Sequence, residues 1–220
     1  MRLHPGAVAA LWIVAVIGFV VMAAFAATHD TFPADLWLTH RLQDVDSAAF
    51  RHTLRWTEGV GDLPFLPVIW LGTAAAAALW IGRWQGLLVL ATMGGRLANA
   101  VLKEVVVRPR PSGDLVEISG HQPSSFSFPS GHAEGAVALY GFIFFLATLY
   151  VPHRRLRLLI QAACLWIIVV TGIERVYVGH HWPSDVVGGY YFGALVLGVL
   201  VAAERLAPVR RQRVGYSAAR

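Results

Sequence analysis

Six long apolar stretches dominate this sequence and use up most of its length. They cover residues 7–27, 63–81, 86–107, 131–151, 156–173 and 186–206. Each is close to the roughly 20 residues that an α-helix needs to cross the hydrocarbon core of a bilayer. Of the 220 residues, 56% are apolar and only 14% are charged, which is too apolar for an ordinary water-soluble domain. We therefore expect an all-α fold, a bundle of six transmembrane helices that forms one integral membrane domain over residues 1–220. A large soluble protein with buried helices is the alternative.

The first apolar stretch has two features of a secretory signal peptide. It follows a basic residue, Arg2, and it contains the small-residue tripeptide Ala-Phe-Ala at 24–26. The apolar core of a signal peptide is usually about 7–15 residues long, however, and this stretch is longer. We expect it to remain in the protein as the first span.

Two long connections separate the apolar stretches. Residues 28–62 are polar with scattered aromatic side chains, which favours one or two short helices on the outer membrane surface over an ordinary loop. Residues 108–130 contain four prolines and two glycines. A connection of that length without secondary structure of its own is uncommon unless it has a function.

The ends of the apolar stretches carry the ionisable side chains that can do chemistry. In a chain of alternating spans, the ends of the third and fifth and the starts of the fourth and sixth lie on the same membrane face. Ionisable groups near membrane depth indicate a functional site. The residues gathered there are Lys103, Arg110, Ser130, Gly131, His132, Arg175, His181 and Asp185.

This set of residue types is suited to binding an anion such as phosphate. Arginine offers paired planar donors and lysine a mobile point charge. Ser130 is a plausible N-cap of the fourth span, and Gly131 lets backbone amides approach a ligand at the positive end of that helix. Pro183 suits the first turn of the sixth span, so His181 stands just ahead of a second helix N-terminus.

Two histidines in such a pocket divide the labour of phosphoryl transfer. One imidazole can attack phosphorus and the other can protonate the leaving oxygen. His181 and Asp185 are four residues apart, a spacing that permits the carboxylate to fix the tautomer of the imidazole. His180 and His181 are adjacent and so point different ways, and no carboxylate cluster accompanies them. We expect no metal and no cofactor.

Three motifs in these segments resemble those of the type 2 phosphatidic acid phosphatase superfamily of membrane lipid phosphatases. The family patterns are K-x6-RP, PSGH and SR-x5-H-x3-D. Here they read KEVVVRPRP at 103–111, PSGH at 129–132 and ERVYVGHHWPSD at 174–185. The resemblance covers a core of about residues 63–206. It departs at Glu174, where the family has serine; an acid there can weaken phosphate binding by pairing with Arg175, or steer it.

The resemblance implies a role for each motif residue. His181 would attack the phosphate and form a phosphohistidine, and Asp185 would orient it. His132 would protonate the leaving lipid oxygen and then activate water. The remaining motif residues would hold the phosphoryl oxygens: Lys103, Arg110, Ser130, the Gly131 amide and Arg175.

Four polar residues near the motifs are given other roles. We interpret His180 as structural. Arg108 stands off the motif position, and it either contacts a lipid head group or has no role. Arg96 lies within the third apolar stretch and is expected to pair inside the bundle, with Glu134 as a candidate partner.

The function that follows is hydrolysis of a lipid phosphate or diphosphate in a bacterial plasma membrane. Candidate substrates are a polyprenyl diphosphate such as undecaprenyl diphosphate, phosphatidylglycerophosphate and phosphatidic acid. With Arg96 left out, ten basic residues lie on the side of the N-terminus and seven on the other, which favours a site on the extracytoplasmic face.

Two other functions use the same residues: phosphotransfer from the phosphohistidine to another lipid or sugar, and non-catalytic lipid transport. Vanadate-binding peroxidases share the constellation, but they are soluble, and six spans argue against them. The net charge of +5 fits anionic lipid head groups, so a nucleic-acid partner is not expected. No feature of the sequence sets an oligomeric state.

Overall fold

A computed structural model describes residues 5–61 and 65–206, and in those residues it is all helical with no strand. The tail that follows residue 206 lies outside the described residues, as does the start of the second apolar stretch. The helices run in the order α1 Pro5–Thr28, α2 Pro33–Gln43, α3 Ala48–Gly61, α4 Phe65–Trp80, α5 Arg83–Ala91, α6 Met93–Val106, α7 Gly131–Tyr150, α8 Arg154–Tyr177 and α9 Pro183–Leu206. Residues 28–62, expected to form one or two short helices, therefore hold α2 and α3.

The number of spans differs from the six that the sequence predicts. In the described part of the chain, α7, α8 and α9 are each long and apolar enough to cross a membrane, and α1 with α2 would add a fourth span bent by 95°. Helix α4 has 16 residues and is shorter than the usual span. Six spans are not confirmed.

The third apolar stretch is divided into two helices, α5 and α6, which meet at Thr92. The Thr92 hydroxyl donates to the Val89 carbonyl at 2.7 Å, and two glycines follow within three residues. A side-chain hydroxyl that bonds to its own backbone competes with the helical ladder. At a rise of 1.5 Å per residue, α6 alone spans only about 21 Å, and the prediction of one span over 86–107 is not confirmed.

Helix α7 lies at the centre of the bundle and packs against α6, α8 and α9. An apolar cluster that includes Phe142, Leu139, Val89, Trp70 and Leu200 fills the space around it. In a bilayer, close packing rather than exclusion from water holds helices together, and small residues permit it.

Two glycines let α9 lie directly against α7 near their N-termini. A Cβ atom on Gly193 would lie 2.6 Å from the Glu134 carbonyl oxygen, and one on Gly189 would lie 2.5 Å from that of Ser130. Larger residues at these two positions would push apart the ends of the helices that carry the second and third motifs.

Helix α2 ties the long connection 107–130 to the end of α8. The Gln43 side-chain amide donates to the carbonyl oxygens of Glu117 at 2.7 Å and Tyr177 at 2.9 Å. His40 Nε2 lies 2.8 Å from the Leu115 carbonyl oxygen. These contacts, which we term the α2 clasp, fix a connection that has no helix or strand of its own.

Candidate active site

The end of α6, the start of α7, the end of α8 and the start of α9 meet at one end of the bundle. The Ser130 backbone N–H donates to the Asp185 carbonyl at 3.0 Å, which joins the starts of α7 and α9. The His181 N–H donates to the Arg175 carbonyl at 3.1 Å, which joins the last turn of α8 to the segment before α9. The expected meeting of these chain ends is confirmed.

A cavity of about 280 Å³ opens where these ends meet. Ser130 and Asp185 are fully buried and do not line it. The Ser130 hydroxyl accepts the Ala133 N–H at 3.5 Å, so the predicted N-cap is confirmed, and this serine supports α7 without facing the cavity. The predicted site residues that do line the cavity are Lys103, Arg110, Gly131, His132, Arg175 and His181.

Two of the three cations are held by carbonyl groups of the long connection. Lys103, in the last turn of α6, donates to the carbonyl oxygens of Phe126 and, at 3.2 Å, Ser127. Arg110 donates from Nε to the Ser125 carbonyl at 2.6 Å and from Nη1 to the His180 carbonyl at 2.6 Å. Residues 125–127 therefore set the direction in which both cations enter the cavity.

The third cation, Arg175, is paired with the residue that departs from the family motif. Its Nε and Nη2 donate to the two carboxylate oxygens of Glu174, the latter at 2.7 Å. Both side chains are buried, with 4% and 2% of their surfaces exposed. The pairing that the sequence offered as one outcome for Glu174 is present, and it sets a negative charge beside the cations of the cavity.

The two ring nitrogens of His181 face opposite partners. Nδ1 lies 3.6 Å from Asp185 Oδ2 and 3.4 Å from Ser127 Oγ, and the Ser127 hydroxyl donates to the same carboxylate oxygen. Nε2 lies 3.3 Å from Arg110 Nη1. A guanidinium group can only donate, so Nε2 must be the acceptor and Nδ1 must carry the proton. In this tautomer the lone pair of Nε2 is directed toward the cations.

Burial keeps the His181 imidazole neutral. Loss of solvent, with smaller contributions from the charges of Arg110 and Lys103, lowers the pKa of His181 from 6.5 to about 3, although Asp185 acts in the opposite direction. Burial also lowers the pKa of Arg110 to about 10, opposed by Asp185 and reinforced by Arg175. At neutral pH the site therefore presents an unprotonated imidazole beside a charged guanidinium group.

Arg108 occupies a position that the sequence did not predict. The sequence left two interpretations of Arg108 open, contact with lipid head groups and no role at all. In the structure the side chain is buried, with 1% of the residue exposed. Its Nη1 donates to Asp185 Oδ1 at 2.6 Å and its Nη2 to Asp35 Oδ2 at 2.8 Å. Both earlier interpretations are wrong. Val107, in a left-handed conformation at φ 54°, ends α6 and turns the chain inward at this point.

His180 and Arg96 also line the cavity, outside the motif positions. The imidazole Nε2 of His180 lies 2.8 Å from the Ser119 carbonyl, a contact that fits the structural role we expected. The two carboxylate oxygens of Glu134 are buried and accept no hydrogen bond from the described residues, so the pairing expected between Arg96 and Glu134 is not a direct hydrogen bond.

The charged side chains that line the cavity include Lys103, Arg110 and Arg175. Within residues 5–61 and 65–206, no group of three or more histidine, cysteine, aspartate or glutamate side chains is arranged to hold a metal. These three cations can supply positive charge to an anionic ligand.

Comparison with known proteins places these motifs in a family. The model of the PAP2 superfamily matches residues 84–207. Phosphatidylglycerophosphatase B of Bacillus subtilis is 32% identical over 183 residues, which are 81% of this chain and 87% of that protein. The undecaprenyl-diphosphatase of Sulfolobus acidocaldarius is 28% identical over 132 residues, 56% of this chain and 54% of that protein.

The fold is similar to a solved membrane protein structure. A crystal structure of a transmembrane PAP2 type phosphatidylglycerolphosphate phosphatase from Bacillus subtilis superposes with a TM-score of 0.79 at 27% identity, over 91% of this chain and 98% of that one. The family match covers more than half of the chain and includes all three motifs. This integral membrane protein therefore belongs to the PAP2 superfamily of lipid phosphatases.

Proposed function

We propose that this protein hydrolyses a lipid phosphate or diphosphate through a phosphohistidine on His181, without a metal ion. The observation that carries the proposal is the orientation of His181, whose Nε2 faces Arg110 in the cavity while Nδ1 faces Asp185. A neutral imidazole held in one tautomer and aimed at a cluster of cations is an activated nucleophile for a bound phosphoryl group.

In the first step, Nε2 of His181 attacks phosphorus and the bond from phosphorus to the lipid oxygen breaks. His132, in the first turn of α7, donates a proton to that oxygen, so the lipid leaves as an alcohol, or as a lipid monophosphate when the substrate is a diphosphate. Lys103, Arg110 and Arg175 stabilise the charge on the equatorial oxygens, and the Gly131 amide adds a donor from a helix N-terminus. Asp185 stabilises the imidazolium that forms.

In the second step, water attacks the phosphohistidine. His132, which has given up its proton, accepts one from the water, and the bond between Nε2 and phosphorus breaks. Inorganic phosphate leaves and both histidines return to their starting protonation states. One pair of histidines thus serves both halves of the reaction, with His132 alternating between acid and base.

Among the substrate candidates we place phosphatidylglycerophosphate first. The relative that matches 81% of this chain is named for that activity, whereas the undecaprenyl-diphosphatase matches 56% of it. Undecaprenyl diphosphate and phosphatidic acid remain candidates, since all three present a phosphoryl group on a lipid. We place the site on the extracytoplasmic face of a bacterial plasma membrane, in line with the distribution of basic residues.

A phosphate-release panel tests the proposal. The purified protein is assayed in detergent micelles and in vesicles with the three lipids, each with and without added lipid or sugar acceptors. We expect phosphate release without an acceptor, greatest with phosphatidylglycerophosphate. The His181→Ala variant, purified in parallel, controls for contaminating phosphatases. Release that requires an acceptor would indicate a phosphotransferase, and no release from any of the lipids would refute the proposal.

A further inference from the structure

A buried chain of charges connects α2 to the carboxylate that faces His181. Arg108 lies between Asp35 and Asp185, with nitrogen–oxygen distances of 2.8 and 2.6 Å. None of the three side chains is more than 3% exposed. Arg108 does not line the cavity, so it can act on a substrate only through the residues that it contacts.

We propose that Arg108 and Asp35 are positioning residues for the reaction, which hold the Asp185 carboxylate ionised and oriented so that His181 keeps the reactive tautomer. This inference rests on the function proposed above. Arg108 stands at a variable position of the first motif, and Asp35 lies 49 residues before the start of the family match at residue 84.

The two oxygens of the Asp185 carboxylate have separate sets of partners. Oδ1 accepts from Arg108. Oδ2 accepts from the Trp182 backbone N–H at 2.9 Å and from the Ser127 hydroxyl, and it is the oxygen nearest to His181. By holding Oδ1, Arg108 fixes the plane of the carboxylate and therefore the direction in which Oδ2 points. Such outer partners set both the orientation and the basicity of the groups that they hold.

Arg108 is itself held on every side. Its guanidinium carbon lies 4.8 Å from the centre of the Phe32 ring, and Nε donates to the Asp30 carbonyl at 3.2 Å. Nη1 also donates to the Ser184 hydroxyl at 2.7 Å. A planar group with all three nitrogens engaged has little freedom to rotate, which is what a positioning role requires.

Asp35 holds the far end of this chain of charges against α9. Its Oδ1 accepts the Ser184 backbone N–H at 2.9 Å, and its Oδ2 accepts the Ser184 hydroxyl at 2.7 Å. Ser184 immediately precedes Asp185 in the first turn of α9. The same carboxylate therefore holds both Arg108 and the backbone from which Asp185 projects, so a change at Asp35 is transmitted to Asp185 by two routes.

The test compares steady-state phosphate release by the full chain and by two conservative variants, Arg108→Lys and Asp35→Asn. Lysine keeps the charge but cannot bridge two carboxylates, and asparagine keeps the size of Asp35 but loses its charge. We expect kcat to fall by about 10- to 100-fold in each, the range usual for outer positioning partners. The KM for lipid and the inhibition constant of orthovanadate should stay within about twofold, because the cavity cations are untouched.

The double variant supplies a second criterion. Arg108 and Asp35 act through the same chain of charges. The double variant, Arg108→Lys combined with Asp35→Asn, should therefore lower kcat no further than the more damaging single change. The matched control is Arg51→Gln, which breaks an arginine–aspartate pair with Asp46 that is 38% and 91% exposed and does not line the cavity. It should leave every constant unchanged.

Wild-type kcat in both single variants would overturn the inference. So would a loss of orthovanadate binding that parallels the loss of kcat, or a loss of folded protein in both, because either result would assign a structural role. Phosphate release by the wild-type protein is measured first. If the wild-type protein releases no phosphate from any lipid, the proposed function is refuted by that measurement alone, and the positioning role is refuted with it.

Discussion

Glu174 and Arg175, neighbours in the chain, form a buried ion pair in which two guanidinium nitrogens bind two carboxylate oxygens. Arg175 lines a cavity that Lys103 and Arg110 also line. A negative charge beside Arg175 opposes the binding of an anion, so we expect the residue at position 174 to adjust the strength of the proposed phosphate site.

Replacing Glu174 with serine should tighten the binding of phosphate. Removing the carboxylate frees two guanidinium donors for the anion, and a charged hydrogen bond contributes about 1.5–3 kcal/mol. We expect the inhibition constant of inorganic phosphate to fall by about tenfold. Glu117→Ser, a change to an exposed side chain in the long connection, is the control. A higher inhibition constant would instead mean that Glu174 is needed to hold Arg175 in place.

The two adjacent histidines should respond differently to substitution. His181→Ala removes the proposed nucleophile and should lower phosphate release by at least about 10³-fold. In His180→Ala most activity should remain, because the contact of residue 180 with Arg110 is made by a backbone carbonyl that alanine retains. Both variants are assayed with the same lipid. Substantial activity in the His181 variant would exclude it as the nucleophile.

Acid should destabilise the folded protein through His181. The pKa of this residue is about 3 in the folded protein and near 6.5 when unperturbed, so from pH 6.5 down to 3 the unfolded chain binds a proton that the folded chain does not. Stability therefore falls as the pH falls through that window and is fully present above it. We expect the midpoint of thermal unfolding in detergent to drop from pH 7 to pH 4.5, and to drop less in His181→Asn. The same drop in the wild-type protein and in His181→Asn would contradict this assignment. His121→Asn, a change to an exposed histidine, is the surface control.

Activity should persist in the presence of a chelator. The three cations of the cavity can neutralise a phosphoryl group without a metal ion. Phosphate release measured with an excess of EDTA should equal the untreated rate. Loss of activity that a divalent ion restores would show that the reaction depends on a metal.

The long connection and the link between α7 and α8 should lie on opposite sides of the membrane. Cys164 is the single cysteine and is buried, so introduced cysteines can be labelled against a low background. Ser112 lies in the long connection, Arg155 lies in the first turn of α8 beside that link, and both are exposed. An impermeant maleimide should label Ser112→Cys in intact cells, and Arg155→Cys only after permeabilisation. The reverse pattern would invert the proposed topology.

Local spacing predicted two contacts of the candidate site because both are set by local geometry. Ser130 caps α7 as a residue just before a helix is expected to do. His181 and Asp185, four residues apart, meet at a nitrogen–oxygen distance of 3.6 Å. Both contacts join residues within a single helical turn, so the spacing of the residues in the sequence is enough to predict them.

Contacts between distant segments were missed for the opposite reason. Arg108 and Asp35 are 73 residues apart, and neither belongs to a periodic pattern that would pair them. The break at Thr92 was missed because hydropathy reports composition, and the residues on both sides of the break are apolar. The number of spans depends on such breaks, which is why it was the least secure part of the sequence prediction.

The α2 clasp and Asp35 both come from a part of the chain that precedes the family match at 84–207. The segment that the family model matches is therefore shorter than the segment whose contacts shape the candidate site. A chimera that joined residues 84–207 to the N-terminal third of a relative would keep every motif residue but exchange a partner of Arg108 and the side chains that hold the long connection. Motif content alone does not define a transplantable catalytic unit in this protein.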